Sequence, residues 1–92
     1  MRRRRSRLLI IHDILGHLLA NGGEDYATRI ATATGLAYDR LSSLLEDLVD
    51  KGIVEVYEED SRRLVKITRR GVELYEHISR LAGVIRDFGL DI

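Results

Sequence analysis

Gly52 separates two kinds of hydrophobic pattern, and that change of period constrains the fold more than any other feature. Before it, apolar residues recur at helical spacing. Leu8, Ile11, Ile14, Leu15, Leu18 and Leu19 form one stripe, widened by Ile10; Leu41, Leu44, Leu45, Leu48 and Val49 form another. After it come two partly alternating runs rich in β-branched residues, Ile53-Val54-Glu55-Val56-Tyr57 and Leu64-Val65-Lys66-Ile67. They flank the polar turn Glu58-Glu59-Asp60-Ser61-Arg62, which predicts a β-hairpin. A hairpin alone is marginal in water, so this one must lie on the helices.

The glycines set the boundaries. Asn21-Gly22-Gly23 ends a helix running from Leu8 to Ala20. A short helix over 27–34, with Ile30 and Ala31 facing the core, is broken by Gly35. The next helix runs from Ala37 to Lys51. Two helices joined by a tight, glycine-containing turn are a helix-turn-helix, and the following hairpin makes it winged. Thr68 caps a last helix reaching about Phe88, roughly 30 Å long. Leu74, Ile78, Leu81, Ile85 and Phe88 recur at spacings of four and three, an a/d seam that predicts a homodimer interface. Tyr75 and Ala82 flank the seam on one side and Val84 on the other. The expected fold is mainly α (α+β), a winged helix-turn-helix with three helices, a β-hairpin wing and a long C-terminal helix. Residues 1–7 form a basic arm, 8–68 the domain, and 69–92 the dimerisation helix and tail.

With no cysteine, disulfide and thiolate chemistry are excluded. The N-terminus lacks a signal-peptide core, because His12 and Asp13 interrupt it, and no apolar run is long enough to span a membrane. A cytoplasmic, nucleoid-associated location is therefore expected, with no membrane partner. Gln, Pro and Trp are also absent, and Arg outnumbers Lys thirteen to two. Depletion of thermolabile residues fits a thermophile, and a GC-rich genome would equally enrich arginine.

The net charge of zero hides an asymmetry. Arg2, Arg3, Arg4, Arg5 and Arg7 hold five of the fifteen basic residues, leaving ten against fifteen acidic ones, a balance of −5. Basic arms of this kind bind nucleic acid. The helix from Ala37 is the one expected in a major groove. Its outward face carries Asp39, Ser43, Glu46 and Asp50, so only its first turns can approach phosphates. Tyr38, Arg40, Ser42 and Ser43 are the candidate contacts there, with Arg40 able to read guanine. Arg29 on the preceding helix, and Arg62, Arg63 and Lys66 on the wing behind an acidic tip, extend the set. Arg69 and Arg70 occupy the first turn of the last helix, where the macrodipole disfavours cations by about 0.3–1 kcal/mol each unless an anion arrives.

Catalytic and metal chemistry find no constellation. His12 and His17 are five apart and do not converge with His77 on a metal. Glu24-Asp25 reads as a solvated turn without a nucleophile, and Gly22-Gly23 lacks the lysine of a phosphate loop. No enzyme activity, metal or cofactor is expected.

Three motifs carry a family resemblance. Thr28-Arg29-Ile30 with Gly35-Leu36-Ala37-Tyr38-Asp39-Arg40-Leu41 is similar to the "T-R-I … N-L-S-Y-x-x-L" passage of small archaeal winged-helix proteins. Leu45 to Glu55 resembles their "L-x-x-L-x-x-K-G-L-I-E" junction, and Lys66 to Gly71 their "K-I-T-x-x-G" lead into the last helix. That family includes the ten-kilodalton Sulfolobus chromatin proteins, so the resemblance implies a dimer joined by antiparallel C-terminal helices. The expected function is double-stranded DNA binding by a homodimer, in transcription regulation or chromatin. An acidic protein-interaction module and an RNA-binding winged helix are the alternatives.

Overall fold

The structure, a computed structural model, describes residues 6–90; Arg2, Arg3, Arg4 and Arg5 of the expected arm lie outside them. The elements are α1 (Arg7–Ala20), β1 (Glu24–Tyr26), α2 (Ala27–Thr34), α3 (Tyr38–Asp50), β2 (Val54–Glu59), β3 (Arg62–Ile67) and α4 (Arg69–Asp87). This is the winged helix-turn-helix expected from the sequence, with an added strand. Among the described residues no helix is long and apolar enough to cross a membrane.

Ile14, Leu15 and Leu18 of α1, Ile30 of α2, Leu41, Leu45 and Leu48 of α3, and Val54 and Val65 of the sheet form the fully buried centre. Both helical stripes therefore meet over one face of the sheet. The hairpin is longer than its sequence suggested. Its strands extend to Glu59 and Arg62, leaving a two-residue turn. Asp60 and Ser61 there adopt φ of 53° and 62°. Such mirror-image turns match the right-handed twist of the flanking strands.

Three expectations change. Glu24-Asp25 is not a solvated turn: β1 pairs antiparallel with β3, Glu24 opposite Lys66 and Tyr26 opposite Leu64, giving a sheet of order β1-β3-β2. Asp25 is buried there and accepts hydrogen bonds from His17 Nε2 at 2.8 Å, the Tyr26 amide at 2.8 Å and Arg29 Nε at 3.1 Å. Burial pushes its carboxyl up, but those bonds and the Arg29 charge outweigh it, holding the group below the usual aspartate value.

Arg7 does not belong to the arm. Ser6 is the N-cap of α1, its Oγ accepting from the Leu9 amide at 3.1 Å, and Arg7 opens the helix. The Arg7 guanidinium meets Asp47 of α3 at 2.6 Å.

The seam of α4 also divides. Ile78 is only 3% exposed and the half-buried Leu74 packs on the core, so this half of the seam is turned largely into the chain's own fold. Beside it, Tyr75 stacks on His12 with centroids 4.4 Å apart, and His12 Nε2 lies 2.7 Å from Ser79 Oγ. At the start of α4, Gly71 crosses so close to β2 that a Cβ would lie 2.3 Å from the Ile53 carbonyl oxygen. Beyond Ile78 the helix outruns the core. Leu81, Val84 and Phe88 are exposed while Ile85 is half-buried. The free apolar stripe is thus 81-84-88, turned to one flank of the predicted seam.

Candidate nucleic-acid interface

A groove runs between α3 and the wing, and the side chains along it follow from helix and strand periodicity. One flank of α3 presents Tyr38, Ser42, Leu45 and Val49 to the sheet, while the register of β2 with β3 places Val56 beside Val65 and Glu58 beside Arg63. Arg63 Nη1 donates to Ser42 Oγ at 2.8 Å across the groove. That bond divides it into two halves of different chemistry.

The half at the start of α3 is a cleft of about 320 Å³ lined by Tyr26, Thr28, Tyr38, Ser61, Arg62 and Arg63, with Ala27 and one carboxylate, Glu58, also on its wall. Arg62 lies over the Tyr26 ring, 3.6 Å from its centroid. Tyr26 in turn donates its hydroxyl proton to Glu59 Oε1 at 2.7 Å, which raises the phenol above its ordinary value. The stack fixes a guanidinium beside the opening while most of its edge stays free to donate.

Two helices begin at this cleft. The N-caps of α2 and α3 are Tyr26 and Ala37, and neither supplies a capping side-chain oxygen. The first turns of both helices therefore keep amide donors without side-chain partners, at the positive ends of two dipoles. Ala27, Thr28 and Tyr38 from those turns line the cleft.

The other half, of about 200 Å³, is lined by Leu45, Val49 and Val56, with Glu46 at its rim and the bonded Ser42 and Arg63 at its inner end. Glu46 and Asp50 form no ion pair with a described residue, whereas Asp47 holds both Arg7 and Lys51. The bonds to Lys51 and Arg7 keep the Asp47 carboxyl below its usual range.

The predicted site residues separate accordingly. Tyr38, Ser42, Arg62 and Arg63 come together at the groove, although Arg63 and Ser42 hold each other. Arg29 lies next to the cleft on α2, its Nε tied to Asp25. Arg40 and Ser43 are exposed on α3 away from the wing, Ser43 among Asp39, Glu46 and Asp50. Lys66 lies two turns of the pleat along β3 from Arg62, 3.6 Å from Glu24 and over Tyr57, and does not line the cleft. Arg70 stands beside Gly52, at the far end of α3, and neither it nor Arg69 lines the cleft. Tyr26 and Thr28 were missed. Only the opposition of β1 to β3 brings Tyr26 under Arg62, and three residues of strand are too few to show a period. Among the described residues, no group of His, Cys, Asp and Glu is arranged to hold a metal ion.

The chain resembles several solved structures. Sso10a-2, a DNA-binding protein from Sulfolobus solfataricus, superposes with a TM-score of 0.83 at 25% identity, over 91% of this chain and 85% of that one. F93 from STIV, a winged-helix DNA-binding protein, gives 0.75 at 18% identity, over 84% and 90%. MepR, a transcription regulator of the Staphylococcus aureus multidrug efflux pump MepA, gives 0.74 at 22% identity, over 86% of this chain and 60% of its own. No match is found among curated proteins. The sequence profile of one family matches residues 4–86, nearly the whole chain, and on that match the protein belongs to the winged helix-turn-helix family.

Proposed function

We propose that this protein binds double-stranded DNA as a homodimer, without catalytic activity, in transcription regulation or in organising the nucleoid. One observation carries the reading: Arg62, held over Tyr26, shares a cleft with the uncapped N-termini of α2 and α3. Free amides, two positive dipole ends and a guanidinium suit a phosphate oxygen. Thr28, Tyr38 and Ser61 add hydroxyl donors. With the phosphates anchored there, the exposed Arg40 on the first turn of α3 has the donors to reach a guanine edge. Arg2 to Arg5 would add attraction that depends on salt and not on sequence. The DNA-binding relative at 25% identity supports the same assignment.

The exposed Leu81, Val84 and Phe88 on the free end of α4 support the dimer reading. Two copies pairing by a two-fold axis would cover this stripe with itself. The wild type should therefore scatter light as a dimer at micromolar concentration, and Leu81→Glu with Phe88→Glu as a folded monomer. A monomeric wild type overturns the dimer.

A gel-shift titration with random duplex DNA at two salt concentrations tests the binding. Affinity should fall steeply with salt, and each phosphate that the protein no longer neutralises should flatten the log–log slope by about 0.9. Arg62→Ala should lower both affinity and slope. Absence of duplex binding at low salt, or a slope unchanged by Arg62→Ala, overturns the site.

A further inference from the structure

The half of the groove beyond the Arg63–Ser42 bond does not suit the ligand proposed for the first half. Leu45, Val49 and Val56 make its floor and walls apolar, Ser42 and Arg63 close the end toward the cleft, and Val49 remains 43% exposed. Its rim is acidic: Glu46 lines it and Asp50 follows one turn along the same helix, both without an ion-pair partner among the described residues. Glu46 and Asp50 disfavour phosphates here, and the one cation in the lining, Arg63, is already engaged with Ser42. The complementary object is an aliphatic side chain that enters the slot with cations on either side of it.

We propose that this half-groove docks a basic segment of another protein, through one aliphatic side chain seated against Val49 and Val56 and flanking arginines or lysines paired with Glu46 and Asp50. A slot of about 200 Å³ has room for one such side chain. The contact is therefore a short linear segment, weak on its own and selective through the spacing of its charges. The inference does not rest on duplex binding, since it uses the part of the groove that the DNA reading leaves out. It gives α3 two ends with two kinds of partner.

The test is an NMR titration of the full chain with a capped pentapeptide, leucine between two arginines on each side. Amide shifts should concentrate between Ser42 and Asp50 and around Val56. Replacing the peptide's leucine by glycine should weaken binding about tenfold, as expected for removal of one buried aliphatic side chain. Val49→Asp is the decisive variant. It adds negative charge to the rim while removing the apolar wall, at a position exposed enough to leave the core intact. Docking in the slot predicts weaker binding by Val49→Asp, whereas simple attraction to an acidic helix predicts stronger binding and overturns the proposal. Absence of shifts with the leucine peptide overturns it as well. Random duplex DNA, titrated in its place, should shift Tyr38 and Arg62; shifts at Val49 and Val56 with duplex and none with peptide would give the slot to DNA.

Discussion

The four helices fall into two pairs that treat their N-termini oppositely. In α1 and α4 a hydroxyl caps the first turn, Ser6 Oγ taking the Leu9 amide and Thr68 Oγ1 the Gly71 amide, each at 3.1 Å. In α2 and α3 the same position holds Tyr26 and Ala37, and no side chain caps either helix. The first pair also makes the close internal contacts: α4 lies along α1 through Tyr75 and His12, and Gly71 touches the Ile53 carbonyl. The second pair opens its first turns onto the Arg62 cleft. One pair satisfies its polar groups within the fold, and the other keeps donors for something outside it.

The strongest way to break this contrast is at Gly71. Gly71→Ala would place its Cβ 2.3 Å from the Ile53 carbonyl oxygen and 2.7 Å from Ile67 Cγ1. That carbonyl already accepts the Thr68 amide at 3.1 Å, so it cannot retreat without weakening that bond. The variant should lose about 3 kcal/mol or more, lowering Tm by on the order of 10–20 °C. A thermal melt within a few degrees of wild type would show that α4 does not need this approach.

Asp25 ranks next. Asp25→Asn removes the charge that His17 and Arg29 share and should cost about 2 kcal/mol by leaving buried donors poorly matched. The carboxyl titrates lower folded than unfolded, so its contribution is present above its ordinary value of 3.8 and is lost as the pH falls below it. Urea unfolding at pH 7 and pH 3 should show wild type losing more stability on acidification than the variant. Equal losses would remove Asp25 from the acid response.

Thr68→Ala should cost about 1 kcal/mol, the usual worth of an N-cap, with duplex affinity unchanged because α4 begins at the far end of α3 from the cleft. Weaker DNA binding at unchanged stability would bring Arg69 and Arg70 back into the interface.

How much of this was legible in the sequence depends on distance along the chain. The bounds of α2, α3 and α4 follow from Gly35, Gly52 and Thr68, which are local signals, and the structure places them within a residue or two. Of the residues that line the cleft, the sequence offered Tyr38, Arg62 and Arg63 as candidates but not Tyr26 or Thr28. Their pairing was not legible, because it rests on long-range contacts. Arg7 meets Asp47 forty positions away and Arg63 meets Ser42 twenty-one away, and no periodicity reports either. The α4 seam shows the same limit. Spacing identified Leu74, Ile78 and Leu81 as one apolar set, but not that the fold buries Ile78, half-buries Leu74 and leaves Leu81 exposed.

The smallest expected effect is the most informative about α3. Ala37 is an N-cap without a side-chain acceptor, so Ala37→Ser should add the missing cap and raise stability by about 0.5–1 kcal/mol. Ala37→Asp should do the same, with an added gain from a carboxylate at the positive end of the dipole. The two variants part on DNA. Serine offers a neutral oxygen that a phosphate can displace. Aspartate brings a full negative charge to the place where the phosphate would sit, and repulsion of about 1 kcal/mol there would weaken duplex binding roughly fivefold. If both variants stabilise the fold and only Ala37→Asp weakens the complex, the open first turn of α3 is where the backbone of the duplex rests. Gains in stability with no difference in affinity would make the missing cap a matter of folding alone, and the weight of the DNA contact would move to Arg62 and the wing.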